Sequence, residues 1–399
     1  MKKRNLSILA VLLTLVFLLS GCFLTPGGGG VPVNTTAPTG AQSASPSGGP
    51  GTTPLATVAP TAAGETAAPT KDPAATEGMV FRDSDTRLLM WDELIGLPVD
   101  TLGFAKNEIY ARAGYVFQTK KYADYFGKYS WYQPDTGFSA SKFTLVQLVN
   151  VKLISAAIAV LGGSLYYVPT GTKLDFDQDG VIETLTYSSP SNYSMKLALQ
   201  DTGKPKAAVV KWNVACDTPS KKVYLGDLTA KDAVLDLFVD EFGPSDDYAI
   251  HVAGVKPTAF SARGTVPGWL SDFKLLGNGA VSTQKRMNIL MTWFTKVKYQ
   301  LNASSKLVFV AQKFYSMNHF KCKTKVALPL LKTSNIDAQE TAFLIPVGKT
   351  IYLQTTDDKK WISIQYGSKT GWLLMADLYT ILDPFAPATD IIDGLIIAD

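Results

Sequence analysis

The chain has 399 residues, 46% of them apolar and 18% charged, which suffices for two or three ordinary globular domains with true cores. Its formal charge of +4 falls to +1 once the cations Lys2, Lys3 and Arg4 are cut away, so no long-range field remains to hold nucleic acid or anionic lipid. The two histidines, His251 and His319, stand in no metal or nucleophile motif, which argues against most acid–base enzymes.

Lys2-Lys3-Arg4 forms a basic start, and the apolar run Leu6 to Leu19 is shorter than the roughly 20 residues that a membrane span needs, so it predicts a secretion signal. The next residues, Leu19-Ser20-Gly21-Cys22, resemble the bacterial lipobox. That resemblance implies a signal peptide over residues 1–21 and a diacylglycerol on the Cys22 thiol. It also implies attachment to the outer face of a bacterial, Gram-positive-type membrane. Each buried methylene contributes about 0.8 kcal/mol, so two or three acyl chains hold durably where one does not. Residues 22–78 are almost wholly Gly, Pro, Ala, Thr and Ser, as in Pro26-Gly27-Gly28-Gly29-Gly30. Such a stretch buries too little apolar surface to offset the entropy of ordering, and predicts a disordered tether with a span of about 40 Å.

A helical unit is expected over residues 79–162. Leu102, Ala105, Ile109 and Ala113 recur at helical spacing and predict a helix from Val99 to Ala113, with Lys106 and Glu108 facing water and Gly114 as the stop. Shorter and longer helices fit Thr119 to Lys128 and Thr144 to Leu161, giving a three-helix domain. The run Asn107-Glu108-Ile109-Tyr110-Ala111-Arg112-Ala113-Gly114-Tyr115-Val116-Phe117, followed by Tyr125-Phe126 and Trp131-Tyr132, resembles the YARHG domain of secreted bacterial proteins. Ala113 stands where the family has its histidine. The resemblance implies no established chemistry, so the residues are weighed directly. Glu108 and Arg112 are four apart and pair at a gain of a few tenths of a kcal/mol if exposed. The aromatic residues make either a small core or a face for sugar rings, with Trp131 and Tyr132 as candidate contacts.

Residues 163–320 read as antiparallel β structure: short runs such as Leu165-Tyr166-Tyr167-Val168 and Leu307-Val308-Phe309-Val310 alternate with Gly, Pro and Asp turns. Within them Asp175, Asp177, Asp179 and Glu183 fall at positions 1, 3, 5 and 9 of a loop with Gly180 at 6, a spacing that wraps oxygens around a structural calcium ion. The alternative is a solvated Asp/Gly hairpin turn. Thr186 occupies the place of an EF-hand's last glutamate, and the strand-like flanks resemble the loops of VCBS and FG-GAP blades. Asp227 to Asp236, and later Gly277-Asn278-Gly279, open similar runs and suggest three diverged repeats, the second with Lys231 in place of a carboxylate. Closed propellers have about four to eight blades, so three predict an open meander or a partial propeller. Gly243 to Tyr248 with His251 is read as an ordinary acidic turn.

Residues 321–399 form the last unit. Gly348 in a turn, then Trp361 and Gly371-Trp372, resemble a bacterial SH3-like barrel, which implies binding of cell-wall peptides or glycans with Trp361 and Trp372 as candidate contacts. The tail with Ile391-Ile392 and Leu395-Ile396-Ile397 is apolar enough to pack back on the barrel or its neighbour. Cys216 and Cys322 are left as one bridge or two separate thiols.

The expected fold class is multidomain α plus β, and the expected function is a non-enzymatic, lipid-anchored binding or scaffold protein that contacts peptidoglycan or surface glycan. The rival is a calcium-dependent cell-envelope hydrolase; a solute-binding lipoprotein fits poorly because two alternating α/β lobes are missing. Cys22→Ala is expected to abolish labelling by radioactive palmitate and to leave the protein released or unprocessed; label in the variant would refute the anchor.

Overall fold

The computed structural model describes residues 77–398 apart from 204–208, 231, 233, 245 and 246. Cys22, the signal segment, the tether up to residue 76 and Lys231 lie outside the described residues.

Four helices come first: α1 (Trp91–Ile95), α2 (Val99–Arg112), α3 (Lys120–Phe126) and α4 (Leu145–Leu161). Pro98 caps α2, and the helix carries Asp100 in its first turn and Arg112 in its last, the polarity that suits its dipole. It stops where Gly114 turns to φ +85, at a place where a Cβ would lie 3.0 Å from that of Asp135. α4 opens on a capping box, with Gln147 N–H donating to Thr144 Oγ1 (3.2 Å) and Thr144 N–H to Gln147 Oε1 (2.8 Å). The short α1 carries the fully buried Trp91 and Leu94, and no sequence period announced it.

Glu108 was expected to face water, and the structure places it at 0% exposure. Its Oε2 accepts the N–H groups of Val80 and Phe81, while Oε1 lies 3.2 Å from the Arg112 guanidinium. Arg112 in turn donates to Phe81 O, Arg82 O and Ser84 Oγ and pairs with Asp85 at 3.2 Å. Helical spacing put Glu108 beside Arg112 correctly, but the segment 80–85 folds over the pair and closes it from solvent. The aromatic residues form a cluster: Phe117 stacks on Phe126 at 5.2 Å, Trp131 meets Phe126 edge-on at 5.7 Å, and Tyr110, Tyr115, Tyr122, Tyr125 and Tyr132 pack around them.

The chain then runs through β1 (Tyr166–Tyr167), β2 (Thr172–Leu174), β3 (Glu183–Ser191), β4 (Ser194–Asp201) and β5 (Val210–Ala215). It continues with β6 (Tyr224–Gly226), β7 (Asp236–Glu241), β8 (Ala249–Lys256) and β9 (Ala259–Pro267), and with β10 (Lys274–Gly277), β11 (Ala280–Met287), β12 (Trp293–Leu301) and β13 (Leu307–Val310). Among the described residues these make three antiparallel meanders in series, β2 to β5, β6 to β9 and β10 to β13, with β1 added along β6. The middle sheet is buried on both faces. Leu237 and Val239 of β7 enter the core shared with the helices and the first sheet, and Phe238 between them enters the core shared with the third. Strand geometry requires this, since successive side chains point to opposite faces.

The third sheet's Met287, Trp293 and Val297 pack in turn against the C-terminal region. Here β14 (Tyr315–Thr324), β15 (Leu328–Leu331), β16 (Thr341–Ile345), β17 (Thr350–Thr356), β18 (Trp361–Tyr366) and β19 (Lys369–Leu374) build a half-barrel. β20 (Thr380–Ile381), β21 (Ala386–Pro387), α5 (Ala388–Ile391) and β22 (Ile392–Asp393) follow. The seven-stranded order is β16-β15-β19-β18-β17-β14-β22, and β14 spans position 320, with a bulge between Ser316 and Phe320 where Asn318 and His319 take positive φ. The apolar tail packs back in part: Ile391 and Ile392 are buried beside the half-barrel and Leu395 is half-buried against the same core, whereas Ile396 and Ile397 are exposed and the chain there is held by Thr292 N–H donating to Ile396 O (2.7 Å). Cys216 and Cys322 are free thiols buried in different cores.

Burial pushes the Glu108 carboxyl up to about 7, against the attraction of Arg112 and the two N–H donors. A carboxyl that holds its proton more tightly when folded removes stability as pH rises from its ordinary value of 4.5 through about 7. Denaturant titrations should therefore show wild type losing stability relative to Glu108→Gln across that window; parallel curves would show that the carboxyl is solvated.

Candidate metal centre

The first sheet's opening hairpin, from Leu174 at the end of β2 to Glu183 at the head of β3, carries the acidic loop. Phe176, fully buried, anchors it in the core. The carboxylates organise the backbone. Asp175 accepts from Asp179 N–H (3.1 Å) and Gly180 N–H (3.0 Å), Asp177 from Asp179 N–H (3.3 Å), Asp179 from Val181 N–H (2.8 Å) and Glu183 Oε2 from Phe176 N–H (2.7 Å). Gln178 and Gly180 adopt φ +60 and +87, which gives the tight winding. One oxygen from each of Asp175, Asp177, Asp179 and Glu183 falls within 4.8 Å of the others.

The burial of this cluster is uneven. Asp175 and Glu183 are 1% and 3% exposed, Asp177 is half-buried and Asp179 is exposed. Burial first, and then mutual repulsion, pushes Asp175 up to about 6 and Glu183 up to about 8; Asp177 is raised for the same reasons. Glu183 Oε1 is buried with no hydrogen-bond partner. None of the four carboxylates forms an ion pair among the described residues. Like charges about 4 Å apart repel by about 4 kcal/mol at an effective dielectric near 20, so a cation among them would favour full ionisation of the group. Its donors are all oxygens on a tight loop, which fits a hard divalent ion. Thr186 points away from the loop's business as an exposed residue of β3.

The second sheet repeats the same construction with a different solution. Asp227 precedes the fully buried Leu228 as Asp175 precedes Phe176, and Leu228 N–H donates to Asp236 Oδ2 (3.0 Å) as Phe176 N–H does to Glu183. Asp236 heads β7 as Glu183 heads β3. Here, however, the Arg263 guanidinium donates to Asp236 Oδ1 (3.0 Å) and sits against Gly254, where a Cβ would come within 2.8 Å of it. The second loop thus holds a cation of its own, in the form of a side chain. At the third position Gly277, Asn278 and Gly279, all at positive φ, make only a tight turn.

Other sequence candidates are scattered. Trp131 donates through Nε1 to Glu77 O (2.8 Å), and Tyr132 through its hydroxyl to Tyr115 O (2.8 Å), both on the flank of the aromatic cluster. Trp361, 8% exposed, forms a wall of an open cleft of about 540 Å³ with Phe309, Phe314, Tyr315, Asp358 and Lys359. Trp372 lies behind it with its ring 5.1 Å from Phe314. His251 has its Nε2 3.1 Å from Glu241 and its Nδ1 3.0 Å from Thr265 Oγ1. The Cys216 thiol is pushed up to about 11 by burial and by Glu241 and Asp217, the reverse of what a nucleophile requires.

Sequence reading missed Gln178 and Trp91. Gln178 Oε1 accepts from Trp91 N–H (2.6 Å), and Trp91 Nε1–H donates to Asp227 Oδ2 (2.7 Å), so one buried tryptophan of α1 touches both acidic loops. Only a glutamine set between loop carboxylates hinted at it. Asp236 and Arg263 were also missed, because the second loop is one residue longer than the first and Arg263 lies on the far strand of its sheet.

The fold and loop define a mixed chain of helices and mainly antiparallel sheets with an acidic centre on its first hairpin. Residues 77–157 match the model of the YARHG domain, with Ala113 in the place of the motif's histidine. No curated protein and no solved structure matches the chain.

Glu183→Gln is expected to raise the stability of chelator-treated protein by about 1 kcal/mol at neutral pH, since it removes a carboxyl whose buried site resists ionisation and costs stability as pH climbs from 4.5 toward about 8, and to erase any stabilisation by added calcium. Thermal melts with and without chelator check both signs. A variant that keeps the full calcium shift would exclude Glu183 as a ligand.

Proposed function

We propose that this chain is an extracytoplasmic, lipid-anchored binding or scaffold protein, held by Cys22 and without catalytic activity, whose modules contact peptidoglycan or surface glycan. The single observation that carries the reading is the acidic loop with the buried, unpartnered Glu183 Oε1. Such a loop suits calcium, and extracellular modules work at calcium concentrations of about 10⁻⁴–10⁻³ M, which the cytosol does not offer. The YARHG match over residues 77–157 agrees with an extracytoplasmic location.

In this reading the three meanders are blades of an open, partial propeller and the C-terminal half-barrel is SH3-like. Their contribution is presentation. The cleft beside Trp361 offers aromatic faces with an acid and a lysine at its rim, the mixture that stacks on sugar rings and grips short peptides. Incubated with insoluble peptidoglycan in calcium, the purified full chain should sediment with the wall and release no soluble fragments. Phe314→Ala should weaken retention by about tenfold, the usual scale for a lost aromatic contact. Calcium-dependent release of wall fragments would replace this reading by the hydrolase; absence of retention would turn it toward a protein partner.

A further inference from the structure

α1 sits on two loops at once, and the two differ in what keeps them closed. Trp91, 0% exposed, hangs its backbone N–H on Gln178 of the first loop and its indole N–H on Asp227 of the second. The Asp227 attachment is permanent. Asp227 also accepts Thr229 N–H (2.7 Å), and the neighbouring Asp236 is neutralised by Arg263 from within the protein. The Gln178 attachment is conditional. Gln178 lies between Asp177 and Asp179, holds φ +60, and donates through its own amide to Asp175 O, so its side chain is aimed at Trp91 only while the four carboxylates stay gathered.

Without a cation those carboxylates repel one another, and the buried Glu183 Oε1 has nothing to bind. Spreading of the loop would relieve that repulsion and would carry Gln178 away from Trp91. The first N–H of α1 is then left inside the protein without an acceptor. α1 packs in the same core as α2, α4 and the first two sheets, so loosening its start is felt by the face of the helical layer that meets the β stack.

We propose that calcium in the Asp175–Glu183 loop fastens the helical layer to the β stack through Gln178 and Trp91, so that loss of the ion loosens α1 on its Asp227 attachment. The proposal rests on the metal reading above and adds to it a purpose: the ion sets how firmly the YARHG-matching segment is seated. Coupling of this kind is reciprocal, so what weakens the seat of α1 also weakens calcium binding by the same factor.

Hydrogen exchange on the full chain, titrated with calcium and followed by calorimetry, tests it. In wild type, exchange at Trp91–Leu94 should slow by on the order of tenfold when calcium is added, within the range of ordinary site-to-site coupling. Gln178→Ala keeps all four carboxylates; it should still bind calcium but lose the slowing. Should that variant also lose calcium, the decision passes to Trp91→Phe, which leaves the first loop untouched and should lower calcium affinity by about fivefold. Absence of calcium binding by wild type would overturn the metal reading and the fastening with it. Calcium binding without any change at Trp91–Leu94, or with unaltered affinity in Trp91→Phe, would overturn the fastening alone and leave the metal site standing.

Discussion

A carboxylate buried at the head of a β-strand is the constraint around which the first half of this protein is arranged. Glu183 heads β3 and Asp236 heads β7, each taking the N–H of the apolar residue that anchors the preceding loop. The bond closes the hairpin but carries a carboxyl into the interior, where ionisation is costly unless a positive group stands beside it. The second sheet answers with Arg263, admitted by the missing side chain of Gly254. The first sheet offers more carboxylates instead, a choice that makes sense for a divalent ion. Two copies of one hairpin thus differ in whether a counter-charge is built in, and one short helix, α1, touches both.

The layers above and below depend on strand alternation. Because β7 sends Leu237 and Val239 one way and Phe238 the other, the middle sheet joins the helical side to the third sheet, and the third sheet joins the half-barrel through Met287, Trp293 and Val297. The helices and the first two sheets share one core, the second and third sheets another, and the third sheet and the half-barrel a third. Position 162 closes α4, and position 320 lies within β14, just past its bulge.

Much of this was legible in the residues. The periods of Leu102, Ala105 and Ile109, and the Thr144 start, mark α2 and α4, because helical amphipathicity and capping are local. The acidic spacing from Asp175 to Glu183 was equally readable, since a tight loop brings positions 1, 3, 5 and 9 together through its own backbone. What escaped was long-range. Glu108 looks solvent-facing until residues 80–85 fold over it, and α1 is too short to show a period. Trp91 acquires its role from partners 87 and 136 positions away. The pairing of Asp236 with Arg263 is likewise a product of sheet order, which no local pattern encodes.

The Glu108 and Arg112 clasp has a mechanical meaning. A pull on the chain from its N-terminal side meets first the bonds that Trp131 and Tyr125 donate to Glu77 O and Gly78 O, and then the stretch from Val80 to Arg82, whose backbone Glu108 and Arg112 hold at several points. The most recognisable stretch of the helical unit is thereby also the stretch that ties the folded body to the chain leading into it.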